Sequence, residues 1–215
     1  MELGIELTII DPCLDADLVA KYSDREDVHF HQGASLDVLP GLSGELDCIL
    51  IDGDHNWYTV YSELCEIERH DALKPGGTIF LHDVMPPFDR RDMYYRPELI
   101  PAEHRKPYGR RDPSSWRWLA DGEEGGLCTA FEEGGPRNGV LTAVEDFMGE
   151  NPDQYAFFIV PAQNGLGVML RSGGGSASVF KRFERTARRV RIENEARRIA
   201  AGVARRLKSL VPGLR

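Results

Sequence analysis

Short apolar runs alternate with helical patterns over the first 85 residues of the chain. Four of these runs have the composition of β-strands: Glu6–Ile10, Val28–Gln32, Asp47–Ile51 and Thr78–Leu81. The third run is almost continuously apolar, as expected for a parallel strand that is buried on both faces. Between the third and fourth runs, apolar residues recur at a helical period from Trp57 to Ile67, and the sequence KPGG at 74–77 ends that helix. Strand–helix alternation at this pitch predicts an open α/β sheet.

The alternation is lost between residues 86 and 136, which are rich in proline, arginine, aspartate and glycine. A connection of this length is typical of a functional lid or a disordered insert. Regular patterns return with an amphipathic helix from Val140 and with two strands, Tyr155–Pro161 and Gly165–Leu170, that form a hairpin. We therefore predict an α/β domain over residues 1–171 and, over residues 172–215, a flexible joint followed by a basic amphipathic helix.

Composition narrows the class of protein. Of the 215 residues, 41% are hydrophobic and 28% are charged, which is ordinary for a globular domain and excludes disordered, collagen-like and coiled-coil chains. No apolar stretch reaches the roughly 18 residues that a membrane span needs, and the first residues lack the features of a signal peptide. The four cysteines form no CxxC pair, so we predict free thiols and a cytoplasmic location.

The net charge of −9 conceals an asymmetry, because residues 176–215 carry 12 basic and 3 acidic side chains. The remaining acidic body predicts that nucleic acid is not a partner. In the basic segment, an apolar stripe with helical spacing begins at Ile192 and ends at Leu214. Three interpretations stay open for this helix: binding to an anionic membrane surface at the inner face of the membrane, docking on the acidic body or on a second subunit, or a solvated extension.

Carboxylates and histidines follow the predicted strands where each of them ends. Asp11 ends the first strand, and Ser35 lies shortly after the second. Asp52 and His55 follow the third strand, and the fourth ends in His82 and Asp83, as the sequence shows. Ligands of open α/β sheets bind outside the carboxyl ends of the strands. Like charges grouped there cost free energy unless a ligand or a cation uses them, so this edge is the predicted site.

The sequence IDGDH after a buried strand, followed by LKPGG and by a strand that ends in HD, resembles class I S-adenosylmethionine-dependent methyltransferases. Among them it is most similar to the subgroup related to macrocin-type sugar O-methyltransferases and cephalosporin-hydroxylase-like proteins. The resemblance extends from about Glu6 to Leu170. It implies a Rossmann-like open sheet, mostly parallel with a C-terminal antiparallel hairpin, and O-methylation of a small-molecule acceptor, with a sugar hydroxyl as the expected group. Homo-oligomerisation stays open.

The resemblance also implies roles for individual residues. Asp11, Ser35 and Asp52 are expected to bind the S-adenosylmethionine cofactor, with Asp11 on the ribose hydroxyls. Asp52, His82 and Asp83 correspond to the ligands of Mg²⁺ in metal-dependent relatives, although His82 stands where those relatives have a carboxylate. His55 is the candidate general base, because imidazole titrates near neutral pH. The alternative is that His55 caps the following helix.

One part of the family pattern has no counterpart in this sequence. The relatives bind the methionine end of the cofactor with a glycine-rich loop after a central first strand, and no residues before Glu6 supply that strand or loop. We therefore expect an interrupted sheet with two unpaired edges. The alternative function is a catalytically inactive, methyltransferase-like module that binds a partner or the periphery of a membrane.

Overall fold

A computed structural model describes residues 4–42, 45–174, 178 and 180–194 of the chain. Its strands are β1 (Leu7–Asp11), β2 (Val28–Gln32), β3 (Leu46–Ile51), β4 (Leu73–His82), β5 (Met93–Tyr94), β6 (Tyr108–Arg111), β7 (Leu127–Ala130), β8 (Tyr155–Val160) and β9 (Leu166–Arg171). Its α-helices are α1 (Ala16–Tyr22), α2 (Ser35–Val38), α3 (Trp57–Arg69), α4 (Val140–Glu150) and α5 (180–194). Three short 3₁₀ helices lie at Leu39–Gly41, Pro97–Leu99 and Ala102–His104.

The strands form a mixed α/β arrangement, which confirms the predicted fold class. β1 pairs with β2 and β3 pairs with β4, both in parallel. The hairpin of β8 and β9 then joins the edge of β4 in antiparallel orientation and gives the order β3-β4-β9-β8. β4 begins at Leu73, five residues before the predicted strand, because Leu73 pairs with Leu46 ahead of an irregularity in register.

Among the described strands, the pairs β1–β2 and β3–β4 belong to separate sheets, in line with the expected interruption. Among the described strands, β1 pairs only with β2 and β3 pairs on one edge only, with β4. The prediction that β3 is buried on both faces is wrong. Ile49 and Ile51 face the main core, whereas Cys48 is exposed and Leu50 is 66% exposed on the opposite face. The cause is that, among the described elements, the helices that bury this strand lie on the face of Ile49 and Ile51.

The main core lies between helices α3 and α4 and the larger sheet. Asn56 caps α3 by accepting a hydrogen bond from the backbone N–H of Thr59 at 2.9 Å, and the helix then presents an apolar face. That face packs on α4 and on the strands through fully buried residues, among them Leu64, Ile79, Val144 and Met169. This packing holds the carboxyl ends of β3 and β4 against the start of α3.

The region from 86 to 136 is folded rather than irregular. β7 lies between β5 and β6 in a small antiparallel sheet. The buried carboxylate of Asp92 organises the segment, because it accepts hydrogen bonds from the backbone N–H groups of Trp57 and Gly139, both at 2.7 Å, and from the hydroxyl of Tyr94 at 2.8 Å. The insert is thereby fixed to the first turn of α3 and to the start of α4.

The described part of the basic segment is a helix that packs on the second face of the sheet. Phe180, Phe183, Ala187 and Val190 of α5 join a cluster with residues of β8 and β9. Ile192, where the predicted apolar stripe begins, is 61% exposed, so the first turns of the helix use another face for docking. The rest of that stripe, from 196 to 214, lies outside the described residues.

Candidate active site

The parallel pairing of β3 and β4 places the ends of both strands at one edge of the sheet. Ile51 pairs with Leu81, so Asp52 and His82 follow at the same level. The sequence D-G-D-H then turns into α3, while Asp83 leaves β4 with a φ of +57°. A positive φ is uncommon for residues other than glycine, and aspartate is among those that adopt it. The predicted residues Asp52, His55, His82 and Asp83 are thus brought together.

His55 and Asp83 form a buried pair. The Nδ1 atom of His55 lies 2.7 Å from Oδ2 of Asp83, and the residues are 7% and 3% exposed. Burial raises the pKa of the Asp83 carboxyl, but the hydrogen bond and the charge of His55 outweigh this effect, so the pKa is lowered. An ionised Asp83 fixes the tautomer of His55 with the proton on Nδ1 and leaves Nε2 as the nitrogen with a free lone pair.

His82 and Asp52 form a second contact beside the first. Nδ1 of His82 lies 3.0 Å from Oδ1 of Asp52 and 3.4 Å from Oδ1 of Asp83. Within the described residues, His82 Nδ1 and Asp83 Oδ1 are buried atoms without a hydrogen-bond partner. The rings of His55 and His82 meet edge to face with centroids 6.0 Å apart. Two imidazoles and two carboxylates therefore converge on one small volume.

His55 does not cap the following helix, because Asn56 is the capping residue of α3. The ring of His55 is held by Asp83 and not by Asp54, although Asp54 is adjacent in sequence. The Oδ1 atom of Asp54 accepts a hydrogen bond from the backbone N–H of Tyr95 at 3.2 Å. Burial raises the pKa of Asp54, and hydrogen bonds only partly counteract this effect. Asp54 therefore links the site to the insert.

The insert contributes one wall of the site. The backbone carbonyl of His55 accepts a hydrogen bond from the N–H of Met93 at 3.0 Å. The rings of Phe88 and Tyr95 lie 5.7 and 6.0 Å from the His55 ring, measured between centroids. Sequence reasoning did not single out these two residues, because an aromatic residue in an irregular segment carries no periodic signal.

A buried carboxylate lies behind the site. Glu63 of α3 is buried, and its pKa is raised to about 7. Burial is the main cause and the charge of Asp54 adds to it, whereas a hydrogen bond with Ser35 acts in the opposite direction. Glu63 was also missed by sequence reasoning. The signal was present, since Glu63 falls at helical spacing on the face that Val60 and Ile67 share.

The two remaining residues that are predicted to bind the cofactor lie at the end of β1 and at the start of α2. Asp11 ends β1 exposed, and its Oδ1 atom accepts a hydrogen bond from the backbone N–H of Cys13 at 2.6 Å. That contact leaves the second carboxylate oxygen for a ligand, so Asp11 fits a contact with ribose hydroxyls. Ser35 begins α2, and its side chain bonds to Glu63. Its hydroxyl is therefore directed to the interior of the protein.

The donor atoms fit a cation, but not Mg²⁺. The described residues whose ligand atoms lie within 4.8 Å of one another are Asp52, His55 and His82. Mg²⁺ prefers an all-oxygen environment with several retained waters, and two imidazoles among three ligands do not supply one. Asp83 is engaged with His55 through Oδ2. No catalytic step is therefore assigned to Mg²⁺.

Comparison with known protein families gives a match for the first part of the chain. Residues 2–84 match a family described as a methyltransferase domain. No curated protein is similar enough to count as a relative of the chain. Within the described residues, no helix has the length and apolar character needed to cross a membrane.

Two solved structures resemble the chain. The SAH-bound methyltransferase PaMTH1 of Podospora anserina is 15% identical, with a TM-score of 0.44 over 80% of this chain and 62% of that protein. A Corynebacterium glutamicum protein is 16% identical, with a TM-score of 0.42 over 78% and 61% of the two chains. The chain thus spans about 60% of the length of these structures. Likeness at this level carries no argument about substrate or activity.

Proposed function

We propose that this protein is an S-adenosylmethionine-dependent methyltransferase that methylates a hydroxyl group of a small-molecule acceptor. The buried pair of His55 and Asp83 is the observation that carries the proposal, because it provides a base with one free ring nitrogen. The matched methyltransferase domain, which ends at residue 84, includes both residues. A sugar or a glycosylated small molecule is the proposed acceptor, by resemblance to sugar O-methyltransferases.

The chemistry of the base follows from its environment. S-adenosylmethionine, when bound, supplies an electrophilic methyl group on a sulfonium centre. Nε2 of His55 accepts the proton of the acceptor hydroxyl while the hydroxyl oxygen forms its bond to the methyl carbon. The cofactor would keep the electron pair of its carbon–sulfur bond on sulfur as the methyl group is transferred. Asp83 accepts the Nδ1–H hydrogen bond throughout and stabilises the imidazolium that forms, as a positioning residue.

The cofactor contacts are proposed with unequal support. Asp11 has a free carboxylate oxygen for the ribose hydroxyls, and Asp52 lies at the strand end beside the base. The contact of Ser35 with adenine has less support, because its side chain bonds to Glu63. Mg²⁺, the cation implied by the family resemblance, is not proposed, because the donor set does not fit it.

Tryptophans in the insert do not add to the case for a sugar acceptor. Trp118 packs on Phe131, and the guanidinium of Arg111 lies over its ring at 4.0 Å. Trp116 packs against Phe88 at 5.6 Å between ring centroids. Both rings thus have neighbours within the protein, and neither is proposed to stack on a sugar.

One observation favours the alternative function, a binding module without activity. The edges of β1 and β3 are unpaired among the described strands, and large apolar side chains are exposed there, with Leu7 at 47%. A sheet with open edges and an apolar border is suited to pairing with a further strand. A protein that works only by such pairing has no need of an oriented base.

Calorimetric titration with S-adenosylhomocysteine, followed by methyl transfer from labelled S-adenosylmethionine to a panel of polyols and glycosides, tests the proposal. We expect binding weaker than micromolar, because no glycine-rich loop is present in the sequence, and turnover only with hydroxylated acceptors. Micromolar binding, equivalent to about −8 kcal/mol, would show that another segment replaces that loop. Absence of both binding and turnover would support the alternative function.

A further inference from the structure

The site holds a set of ligands that differs from the one expected for Mg²⁺. The three residues with mutually close ligand atoms are two histidines and one carboxylate: Asp52, His55 and His82. They come from the ends of two adjacent strands and from the loop before α3, so the sheet fixes their positions. Nδ1 of His82 and Oδ1 of Asp52 lie 3.0 Å apart, close enough for both atoms to contact one ion.

Two buried polar atoms without a hydrogen bond support a cation site at this position. His82 Nδ1 and Asp83 Oδ1 lie 3.4 Å apart, and within the described chain neither atom has a hydrogen-bond partner. Asp83 is only 3% exposed. Buried polar atoms are nearly always paired, so unpaired atoms that face each other call for an unseen partner. A cation bound by His82 Nδ1 satisfies that nitrogen, and its charge also stabilises the nearby buried carboxylate of Asp83.

The contact of His55 with Asp83 has the form that metal-binding histidines adopt. Such a histidine donates its second ring N–H to a carboxylate, which fixes the ring and makes the ligating nitrogen more basic. His55 directs Nδ1 to Oδ2 of Asp83 at 2.7 Å. Nε2 is then the nitrogen left for an ion. Asp83 therefore acts on the ion through His55.

We infer that Asp52, His55 and His82 form a binding site for a divalent transition-metal ion, selective for zinc or cobalt over magnesium. Imidazole ligands suit zinc, copper, iron and nickel, whereas Mg²⁺ requires oxygen ligands. The inference does not rest on methyl transfer, because ion binding needs only the three ligands. An ion on Nε2 of His55 excludes the same atom from accepting a proton, so the ion-bound state is distinct from the proposed catalytic state.

Cobalt binding to the full chain tests the inference directly. The experiment uses protein stripped with EDTA in a Cys13→Ser/Cys48→Ser background, since both thiols are exposed and bind metals themselves. Visible absorption during Co²⁺ titration is expected to reveal one bound ion per chain. Equimolar Zn²⁺ is expected to remove the signal, and a hundredfold excess of Mg²⁺ to leave it.

Variants identify the ligands. Asp52→Asn and His82→Gln are expected to weaken Co²⁺ binding more than tenfold, and Asp83→Asn to weaken it 10- to 100-fold. His29→Ala is the matched control, because His29 lies on β2 and pairs with Glu6. Far-UV circular dichroism verifies that each variant is folded, and His82→Ala replaces any variant that is not. Displacement of Co²⁺ by Mg²⁺ at similar concentration would overturn the inference. Unchanged Co²⁺ binding in both Asp52→Asn and His82→Gln would overturn it as well.

Discussion

Nδ1 of His55 lies 2.7 Å from Oδ2 of Asp83, across the ends of two neighbouring parallel strands. The distance is that of a charge-assisted hydrogen bond between buried groups. The Asp83 carboxylate therefore occupies Nδ1 of His55 and leaves Nε2 for a substrate or an ion. The roles proposed for His55, as a base or as a metal ligand, both depend on this contact.

The pair is expected to control turnover in any active form of the protein. His55→Ala removes the base and should lower the turnover number by about 10²–10⁴. Asp83→Asn keeps the shape of the side chain but no longer stabilises the imidazolium, so it should lower turnover less and shift the pH profile. Initial rates between pH 6 and 9 measure both effects. His29→Ala is the control, and unchanged turnover in His55→Ala would remove its catalytic role.

The sequence is sufficient to place most of this edge of the site. IDGDH and HD each follow an apolar run, and the parallel pairing of those runs brings Asp52, His55, His82 and Asp83 together. Which carboxylate holds His55 was not predictable, because Asp54 is closer in sequence and only the backbone turn at Asp83 decides between them. Residues of the insert escaped prediction for a similar reason, since their positions depend on long-range bonds to Asp92.

The packing of β3 and of the basic helix was less predictable from the sequence. An apolar run such as Asp47–Ile51 predicts two covered faces, but the number of covering elements is a property of the whole sheet. One face of β3 is exposed because no described element packs there. In the basic helix, the apolar stripe that begins at Ile192 was visible in the sequence. The helix docks instead through Phe180 and Phe183, which lie before that stripe and are too few to form a periodic pattern.

The exposed face of β3 gives a prediction about stability. Ile51 belongs to the main core, while the neighbouring Leu50 is 66% exposed. Ile51→Ala should lower the free energy of unfolding by about 2–5 kcal/mol, because it leaves a cavity. Leu50→Ala should change it by roughly 0.5 kcal/mol or less. Urea unfolding followed by circular dichroism compares the two variants. Equal losses would show that another element or a second chain covers Leu50.

The same residue bears on association. An exposed apolar strand with an unpaired edge is prone to pairing with other chains, and a lysine on such an edge opposes it. Leu50→Lys should therefore decrease light scattering at high protein concentration without loss of stability. Leu99→Lys serves as a control, because Leu99 is exposed in the insert, away from this edge. Equal effects of both substitutions would indicate a general gain in solubility.

Glu63 gives a prediction about pH. Burial raises the pKa of its carboxyl from 4.5 in the unfolded chain to about 7 in the folded one. The folded state thus binds the proton more tightly, and the contribution of Glu63 to stability is complete below pH 4.5 and is lost as the pH rises through 7. The loss amounts to roughly 3 kcal/mol, since each unit of pKa corresponds to about 1.4 kcal/mol.

Glu63→Gln removes the titration while keeping the side chain in place. The variant should be more stable than the parent protein at pH 8 and should gain little at pH 5, as measured by urea unfolding at both values. Glu124→Gln, at an exposed position, should show no such difference between the two pH values. A gain of the same size at pH 5 and pH 8 would mean that Glu63 is not protonated in the folded protein.

The last prediction concerns the basic helix α5. Its apolar side packs on the sheet, and the opposite side carries exposed arginines such as Arg185 and Arg188. Docking therefore orders the helix without a membrane and leaves a positive surface facing outward. Each basic residue near an anionic membrane surface contributes about 1 kcal/mol to binding. We expect the full chain to sediment with vesicles that contain phosphatidylserine, and this binding to be lost at high salt.

Charge-reversal variants test whether binding to anionic vesicles depends on the exposed arginines of α5 or on non-specific electrostatic attraction. Arg185→Glu together with Arg188→Glu removes at least two favourable charges, so vesicle affinity should fall by roughly 30-fold or more, equivalent to about 2 kcal/mol. Arg96→Glu, at an exposed arginine of the insert, should leave affinity nearly unchanged. If the parent protein does not bind anionic vesicles at low salt, membrane binding is excluded and docking on the acidic body is the function of the helix. If both variants weaken binding equally, the attraction does not depend on α5.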